Sequence, residues 1–165
     1  MFKLPIPYRM VRNIYEIKPE FLKKEGIRLL LMDLDNTMAP YHIHVPSAGL
    51  KAWVSSMKEE GIEIFILSNN RGIRPKVFAE ALGVEWVNRA KKPSVKVMDR
   101  VLGRKCLSRE QVMLVGDQIY TDMLCAARGH IRGICVKPMC LRRNPLLALR
   151  YFAEFPFRLA YKEEK

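Results

Sequence analysis

Carboxylates follow a short apolar segment near the start of the chain, where they could act on a phosphoryl group. The segment from Asp33 to Thr37 reads Asp-Leu-Asp-Asn-Thr and comes directly after the apolar run Leu29–Met32. A carboxylate such as Asp33 can attack phosphorus as a nucleophile. Asp35 could protonate the leaving oxygen and then activate water. Because two carboxylates repel a phosphate, a cation is also needed, and Mg²⁺ prefers oxygen ligands.

A hydroxyl and a lysine follow at two later positions. Ser68 ends the apolar run 62–67, and with Asn69 it could bind phosphoryl oxygens through its hydroxyl and nearby backbone N–H groups. Lys92, which precedes Pro93, could neutralise phosphoryl charge and restrain a nucleophilic aspartate. Taken alone, each segment would also suit an ordinary turn or a solvated loop.

A second acidic segment follows the apolar run 112–115. Asp117 comes just after this run and is placed to ligate the cation. Asp122 lies about one helical turn into the next element. From there it could orient the metal ligands without binding the metal itself. The sequence therefore offers three further polar groups that could act together with Asp33.

The apolar patterning alternates between strand and helix periods, which predicts an α/β fold. The expected elements are a strand at 29–32, a helix at 46–61, a strand at 62–67, a helix over 77–82, a short strand at 84–87, a helix at 93–102, a strand at 112–115, a helix at 120–128 and a strand at 131–136. Alternation of this kind indicates a parallel sheet with helices on both faces. Ligands bind beyond the carboxyl ends of such strands, where Asp33, Ser68 and Asp117 would converge.

The ordered set of motifs resembles the haloacid-dehalogenase (HAD) superfamily of phosphohydrolases over residues 29–136. More narrowly, the chain is similar to the YqeG-type group of class IIIA HAD phosphatases, which is itself similar to the mitochondrial phosphatidylglycerophosphate (PGP) phosphatases. The resemblance implies a Rossmann-like HAD fold and Mg²⁺ as cofactor. The intervals 33–68 and 68–92 leave no room for the cap domain that many HAD enzymes carry. An open site of this kind implies a large substrate or a homo-oligomer that closes it.

The resemblance also implies a role for each motif residue. Asp33 is the nucleophile and a metal ligand, Asp35 is the acid/base and a metal contact through its backbone carbonyl, and Asp117 is a metal ligand. Asp122 supports them. The residues implied to bind the substrate phosphate are Thr37, Ser68, Asn69 and Lys92.

The 165 residues suffice for one domain, which we expect to span 1–165 with a core at about 27–137. The net charge of +12 favours anionic partners, although a Lys/Arg-rich surface would explain it equally well. Residues 1–25 and 141–165 mix aromatic side chains with arginine, which suits contact with an anionic membrane. The alternative is that both flanks pack on the sheet.

The remaining sequence features predict a cytoplasmic protein, with peripheral contact at the inner face of a membrane as the flanks suggest. The four cysteines form no Cys-x-x-Cys pair and are interpreted as reduced core residues. No signal peptide or membrane-spanning run is evident. His42 and His44 could touch substrate or metal, but a loop His-x-His more often does neither. The neighbouring cations, which are Arg71, Arg74, Arg89, Lys91 and Lys96, could steer an anion or form a solvated rim.

Several functions stay open at this point. A soluble phosphomonoester, such as a sugar phosphate or nucleotide, is the main rival to a lipid phosphate, and a phosphorylated nucleic-acid end is another. A receiver module also uses a strand-end aspartate, but Asp35 would shorten the lifetime of its phospho-aspartate. A basic nucleic-acid-binding module without turnover is a further alternative, although no specific nucleic-acid motif is present.

Overall fold

The computed structural model describes residues 4–140, 149, 151–159 and 161, and these contain a parallel sheet of six strands. The strands are β1 (Arg9–Val11), β2 (Leu29–Met32), β3 (Glu63–Leu67), β4 (Glu85–Val87), β5 (Val112–Gly116) and β6 (Arg132–Val136). They lie in the order β1-β6-β5-β2-β3-β4, and all neighbours are parallel. The predicted Rossmann-like α/β fold is confirmed.

Helices cover both faces of this sheet. They are α1 (Pro19–Lys24), α2 (Ala48–Glu59), α3 (Arg74–Leu82), α4 (Lys96–Lys105), α5 (Leu124–Arg128) and α6 (Phe155–Leu159). Because side chains alternate along a strand, Leu30 and Met32 of β2 pack in one core with residues of α2 and α3. Leu29 and Leu31 join a second core with residues of α4 and α5. No helix in the described ranges is both long and apolar enough to cross a membrane.

Helix α2 shows how the local sequence sets an element. The Ser47 side chain accepts a hydrogen bond from the Leu50 N–H at 3.1 Å and caps the helix. The residues that the spacing assigned to one face are buried, namely Leu50, Trp53, Val54 and Met57. This helix and the loop before it fill the interval 33–68, and α3 with β4 fills 68–92. Neither interval holds a cap domain.

The register of the central strands places their carboxyl ends side by side. Met32 at the end of β2 pairs with Ile66 of β3 and with Val115 of β5. The Asp33 N–H then donates to the Val115 carbonyl at 2.8 Å, so the ladder continues one residue beyond β2. The motif residues that follow these strands therefore emerge at one edge of the sheet.

The N-terminal flank packs against the sheet. This was one of the two interpretations of the flanks, the other being contact with a membrane. Strand β1 pairs with β6 and forms an edge that the sequence patterning did not predict. Ile14, Ile17 and Leu22 are fully buried in the core beneath it. Most of the C-terminal flank, 141–148, 150, 160 and 162–165, lies outside the described residues. Within α6, Phe157 packs edge-on against Tyr120 at 5.6 Å between ring centroids.

All four predicted helices differ from their expected bounds, and of these α2 is two residues shorter at each end and α3 begins three residues earlier. The helix expected at 93–102 with a stop at Gly103 instead runs from Lys96 to Lys105, and Cys106 ends it in the left-handed conformation with φ 52°. The helix expected at 120–128 begins as a π-helical turn over Ile119–Met123 before α5. A glycine at position 103 permits a helix to end but does not require it to end. Here the apolar face of the helix is buried as far as Leu102, and the helix ends only at Cys106.

The four cysteines are thiols and not halves of a disulfide among the described residues, as predicted. Cys125 and Cys135 are buried in the core, and burial raises the pKa of the Cys125 thiol to about 11. The prediction of a core position is wrong for Cys106, which is exposed because it caps α4 at the surface, and Cys140 is only half-buried.

Candidate active site

A buried lysine joins two of the predicted carboxylates. Lys92 Nζ lies 2.7 Å from Asp33 Oδ1 and 2.7 Å from Asp122 Oδ1. Burial lowers the pKa of the Lys92 ammonium, but the carboxylates of Asp122 and Asp33 outweigh this effect, and the net pKa lies above the ordinary value. The lysine is therefore charged, and it fixes Asp33 in position.

Three carboxylates form a cluster around this lysine that could hold a metal ion. One oxygen from each of Asp33, Asp117 and Asp122 lies within 4.8 Å of the others, and all three residues are buried. Burial, followed by the charges of Asp33 and Asp122, raises the pKa of Asp117 well above its usual range. Burial also raises the pKa of Asp122, to about 6. These shifts arise because full ionisation would give the cluster more negative charge than Lys92 alone offsets.

The charge and chemistry of this cluster fit a divalent cation. Three ionised carboxylates and one ammonium leave two negative charges, which one such cation would balance. All three donors are carboxylate oxygens, the type that hard cations such as Mg²⁺ prefer. Asp122 contacts Lys92 directly, and the supporting role expected for it stays a prediction.

The hydroxyl of Thr37 sits between two of these carboxylates. Thr37 is fully buried, and its Oγ1 lies 3.3 Å from Asp33 Oδ2 and 3.4 Å from Asp117 Oδ1. A phosphate-binding role for Thr37 stays a prediction. In the structure its hydroxyl orients the carboxylates.

The side chain of Asn69 connects the loops that follow β3 and β4 through two hydrogen bonds. Its side-chain Oδ1 accepts from the Lys92 N–H at 2.8 Å, and its Nδ2 donates to the Lys92 carbonyl at 3.0 Å. The hydroxyl of Ser68 is buried and accepts from the Asn70 N–H at 3.0 Å. Asn69 therefore holds the backbone that positions Lys92, while phosphate binding by Ser68 and Asn69 stays a prediction.

The carboxylate of Asp35 is not part of the metal-binding cluster and is held by other partners. Asn70 Nδ2 donates to Asp35 Oδ2 at 2.9 Å, and the guanidinium of Arg74 pairs with Oδ1. Burial raises the pKa of the Asp35 carboxyl above its usual value, although Asn70 and Arg74 oppose this rise. A raised pKa favours the protonated form of this carboxyl, which is the form that a general acid needs.

Arg74 was expected either to steer an anion or to form part of a solvated rim, and the second alternative is wrong for this residue. The residue is buried at the start of α3, with 7% of its side chain exposed. Besides Asp35, it donates to the carbonyls of Ile43 at 2.7 Å and Pro40 at 2.8 Å, and it lies over the ring of Phe78. It therefore ties Asp35 to the loop that follows the first motif. The amino-acid pattern does not distinguish Arg74 from the exposed Arg71 nearby.

The π-helical turn carries Asp122 back towards the sheet. Asp122 Oδ2 accepts from the Gln118 N–H at 3.2 Å, which closes the turn on itself. Close approach to β5 requires a glycine there, because a Cβ at Gly116 would lie 2.2 Å from Asp122 Cγ. Glycine at this position lets Asp122 reach Lys92.

A cleft of about 840 Å³ opens beside this centre. Its lining includes Asp35, Asn36, Tyr41, His42, Asn69, Asn70, Arg71, Gly72, Gln118 and Cys140. His42 thus faces the space where a substrate would lie, whereas His44 is not part of that lining. Neither histidine belongs to a metal-binding group among the residues that the structure describes. The eight predicted site residues all lie in the segments that follow the strands at the carboxyl edge of the sheet, and two of them, Asp35 and Asn69, line this cleft.

The family model described as mitochondrial PGP phosphatase matches residues 2–139. The chain belongs to this family. It is 36% identical over 137 residues to the probable phosphatase YqeG of Bacillus subtilis (strain 168), covering 83% of this chain and 80% of that protein. It is therefore a phosphatase of the HAD superfamily and YqeG type, as its motifs predicted.

The chain is also similar to a more distant protein sequence and to a solved structure. Over 153 residues the chain is 26% identical to phosphatidylglycerophosphate phosphatase 1, chloroplastic/mitochondrial, of Arabidopsis thaliana, covering 86% of this chain but 43% of the plant protein. The crystal structure of 3-deoxy-D-manno-octulosonate 8-phosphate phosphatase from Yersinia pestis is similar with a TM-score of 0.53 and 15% identity, covering 84% and 85% of the two chains. The similarity to the Yersinia pestis structure shows a shared fold only.

Proposed function

We propose that the chain is a Mg²⁺-dependent phosphomonoester hydrolase that works through a phospho-aspartate on Asp33. The observation that carries this proposal is the contact of Asp33 with Lys92 inside a buried cluster of carboxylates, next to an open cleft that contains Asp35. A nucleophile needs a fixed position, and an acid/base needs access to both the leaving group and water. Asp33 has a fixed position because Lys92 holds it, and Asp35 has access to the leaving group and to water because it lines the open cleft.

Two steps account for the chemistry. A carboxylate oxygen of Asp33 attacks phosphorus while the bond to the leaving oxygen breaks, and the Asp35 carboxyl gives its proton to that oxygen. Water then attacks the phospho-aspartate and gives a proton to the Asp35 carboxylate, so that inorganic phosphate leaves and Asp33 is restored. Lys92 offsets the charge of the transferred phosphoryl group throughout.

The residues that would hold Mg²⁺ are Asp33 and Asp117 with the backbone carbonyl of Asp35, and Asp122 lies within reach. The bound ion would neutralise phosphoryl charge and thereby allow a carboxylate to approach phosphorus.

For the substrate we propose PGP, handled at the inner face of a membrane by a cytoplasmic, peripherally bound protein. Membership of the family supports this, as does the name of the plant relative. The open cleft would admit a bulky ester, and the net charge of +12 favours anionic surfaces. A soluble phosphomonoester is the alternative, because the cleft also admits smaller ligands.

The test is phosphate release from PGP in mixed micelles with Mg²⁺, with soluble phosphomonoesters measured alongside. Wild type is compared with Asp33→Asn, and Asp99→Asn, which alters an exposed carboxylate paired with Arg109, is the matched control. We expect release that Asp33→Asn abolishes and Asp99→Asn retains. Activity on soluble esters alone would keep the mechanism and overturn the lipid substrate. No release from any ester would overturn the proposed activity.

A further inference from the structure

A second cavity, of about 470 Å³, adjoins the catalytic cleft. Its lining comprises Asn69, Arg71, Arg89 and Lys91. Two of these residues, Asn69 and Arg71, also line the cleft that contains Asp35. The two spaces therefore share a wall, and one extended ligand could occupy both.

The cations around this cavity have no acidic partner among the described residues. Arg71, Arg89 and Lys91 are all exposed, and none forms an ion pair in the described part of the chain. A cavity of about 520 Å³ at the amino ends of the strands differs, because cations in its lining do have acidic partners. There Lys105 pairs with both Glu63 and Glu85. Arg104 also pairs with Glu85, so two cations of that cavity are neutralised within the protein, whereas the cations beside the cleft can accept an external anion.

The backbone fixes the basic cavity relative to the catalytic centre. The N–H of Arg89 donates to the Asn70 carbonyl at 3.0 Å, and the N–H of Ala90 donates to the Ser68 carbonyl at 2.9 Å. Lys92 is buried against Asp33, while its neighbour Lys91 is exposed and lines the cavity. Lys92 therefore lies at the catalytic centre, and the preceding residue, Lys91, lies at the basic cavity.

Two of the cationic residues adopt a conformation that side chains rarely take. Arg89 has φ 49° and Lys91 has φ 57°, both in the left-handed region. Such a conformation costs about 1 kcal/mol or more for a residue other than glycine. The strain is concentrated in the short segment that presents cations to the cavity, which is consistent with a binding role.

We infer that Arg71, Arg89 and Lys91 form a subsite for a second anionic group of the substrate, whose terminal phosphate lies at Asp33. This inference rests on the proposed phosphatase function and narrows its substrates to phosphomonoesters that carry another negative charge. A guanidinium binds two oxygens of a phosphate at once. Two arginines therefore favour a phosphodiester or a second phosphate over a carboxylate.

Binding to the Asp33→Asn variant at constant free Mg²⁺ tests the subsite without turnover. Calorimetry would compare glycerol 3-phosphate, 3-phosphoglycerate and the deacylated headgroup of PGP, which has a phosphomonoester and a phosphodiester. We expect the headgroup to bind at least about tenfold more tightly than glycerol 3-phosphate, since charge-assisted hydrogen bonds contribute this much. The advantage should shrink as salt rises. 3-Phosphoglycerate should show a smaller gain.

Charge removal identifies the residues responsible. In the same background, combined Arg71→Gln, Arg89→Gln and Lys91→Gln should remove the advantage of the headgroup. The matched control combines Lys18→Gln, Lys24→Gln and Lys51→Gln, which removes as much charge from exposed positions outside the cavity and should retain the advantage.

Equal affinity for all ligands, or an advantage that survives in the cavity variant, would overturn the subsite. Neither result depends on catalysis. Failure of the phosphatase proposal would appear separately, as absence of phosphate release by wild type from every ester.

Discussion

The guanidinium of Arg74 forms a buried ion pair with the carboxylate of Asp35. The same guanidinium donates to carbonyls of the loop that borders the cleft. The general acid, the loop and helix α3 are thereby joined through one side chain. Because the pair is buried, removal of either partner leaves an uncompensated charge.

Replacement of Arg74 by Met should destabilise the protein by about 3 kcal/mol, as loss of one partner of a buried pair does. It should also raise the pKa of Asp35, because the cation beside that carboxylate lowers the pKa. Urea unfolding measures the first effect, and the pH dependence of kcat measures the second. Arg74→Lys keeps the charge and should shift the pH profile less. An unchanged profile in Arg74→Met would show that Arg74 has a structural role only.

Asn70→Ala should move the alkaline limb of the kcat profile to higher pH. The Asn70 side chain donates to Asp35, and this hydrogen bond lowers the pKa of the carboxyl. General-acid activity is lost as pH rises through the pKa of Asp35, so a higher pKa extends activity upward. The profile is measured on a soluble ester under substrate saturation. A shift to lower pH would contradict the assignment of Asp35 as the acid.

Lys92→Met should destabilise the protein by about 3–5 kcal/mol at pH 7, because Asp33 and Asp122 would face each other without their cation. The loss should lessen on acidification. A carboxyl with a raised folded pKa destabilises the fold when ionised, and the pKa of Asp122 is already raised to about 6 with lysine present. Without the lysine, which lowers this pKa, the pKa of Asp122 rises further, so the stability of the variant should begin to recover at a pH above about 6 as the pH falls. Urea titrations at several pH values provide the measurement, and a deficit independent of pH would refute the explanation.

Gly116→Ala should impair activity and reduce stability by about 1–3 kcal/mol, the usual cost of an overpacked site. The added Cβ would lie 2.2 Å from Asp122 Cγ and would displace that carboxylate from Lys92. Gly103→Ala is the control, since nothing lies within 4 Å of its Cβ and it stands inside α4. The control should gain about 0.5–1 kcal/mol. Similar losses in both variants would argue against the close contact.

Added Mg²⁺ should raise the thermal midpoint of wild type. Binding to the folded state alone contributes about 2.7 kcal/mol at a hundredfold excess over Kd. Asp117→Asn removes one carboxylate of the cluster and should lose most of this increment, whereas Asp99→Asn should keep it. Thermal melts with chelator and with Mg²⁺ test this without reference to activity. A Mg²⁺ response that persists in Asp117→Asn would place the ion elsewhere.

The sequence by itself determined the fold class and the edge at which the site lies. Apolar runs at 29–32, 62–67 and 112–115 end in polar residues, and parallel strands must bring those ends together. This physical constraint is local and periodic, so it can be read from residue types alone. It also located Asp33, Ser68 and Asp117 at a common edge, where the structure has them.

Only the tertiary structure decided which of several similar residues face that edge. Arg74 and Arg71 are indistinguishable in sequence, yet one pairs with Asp35 in the interior and the other lines two cavities. The edge strand β1 depends on a partner more than a hundred residues away, β6, so no local period reveals it. Burial and pairing of a charge are set by contacts between distant segments, and these contacts exist only once the chain has folded.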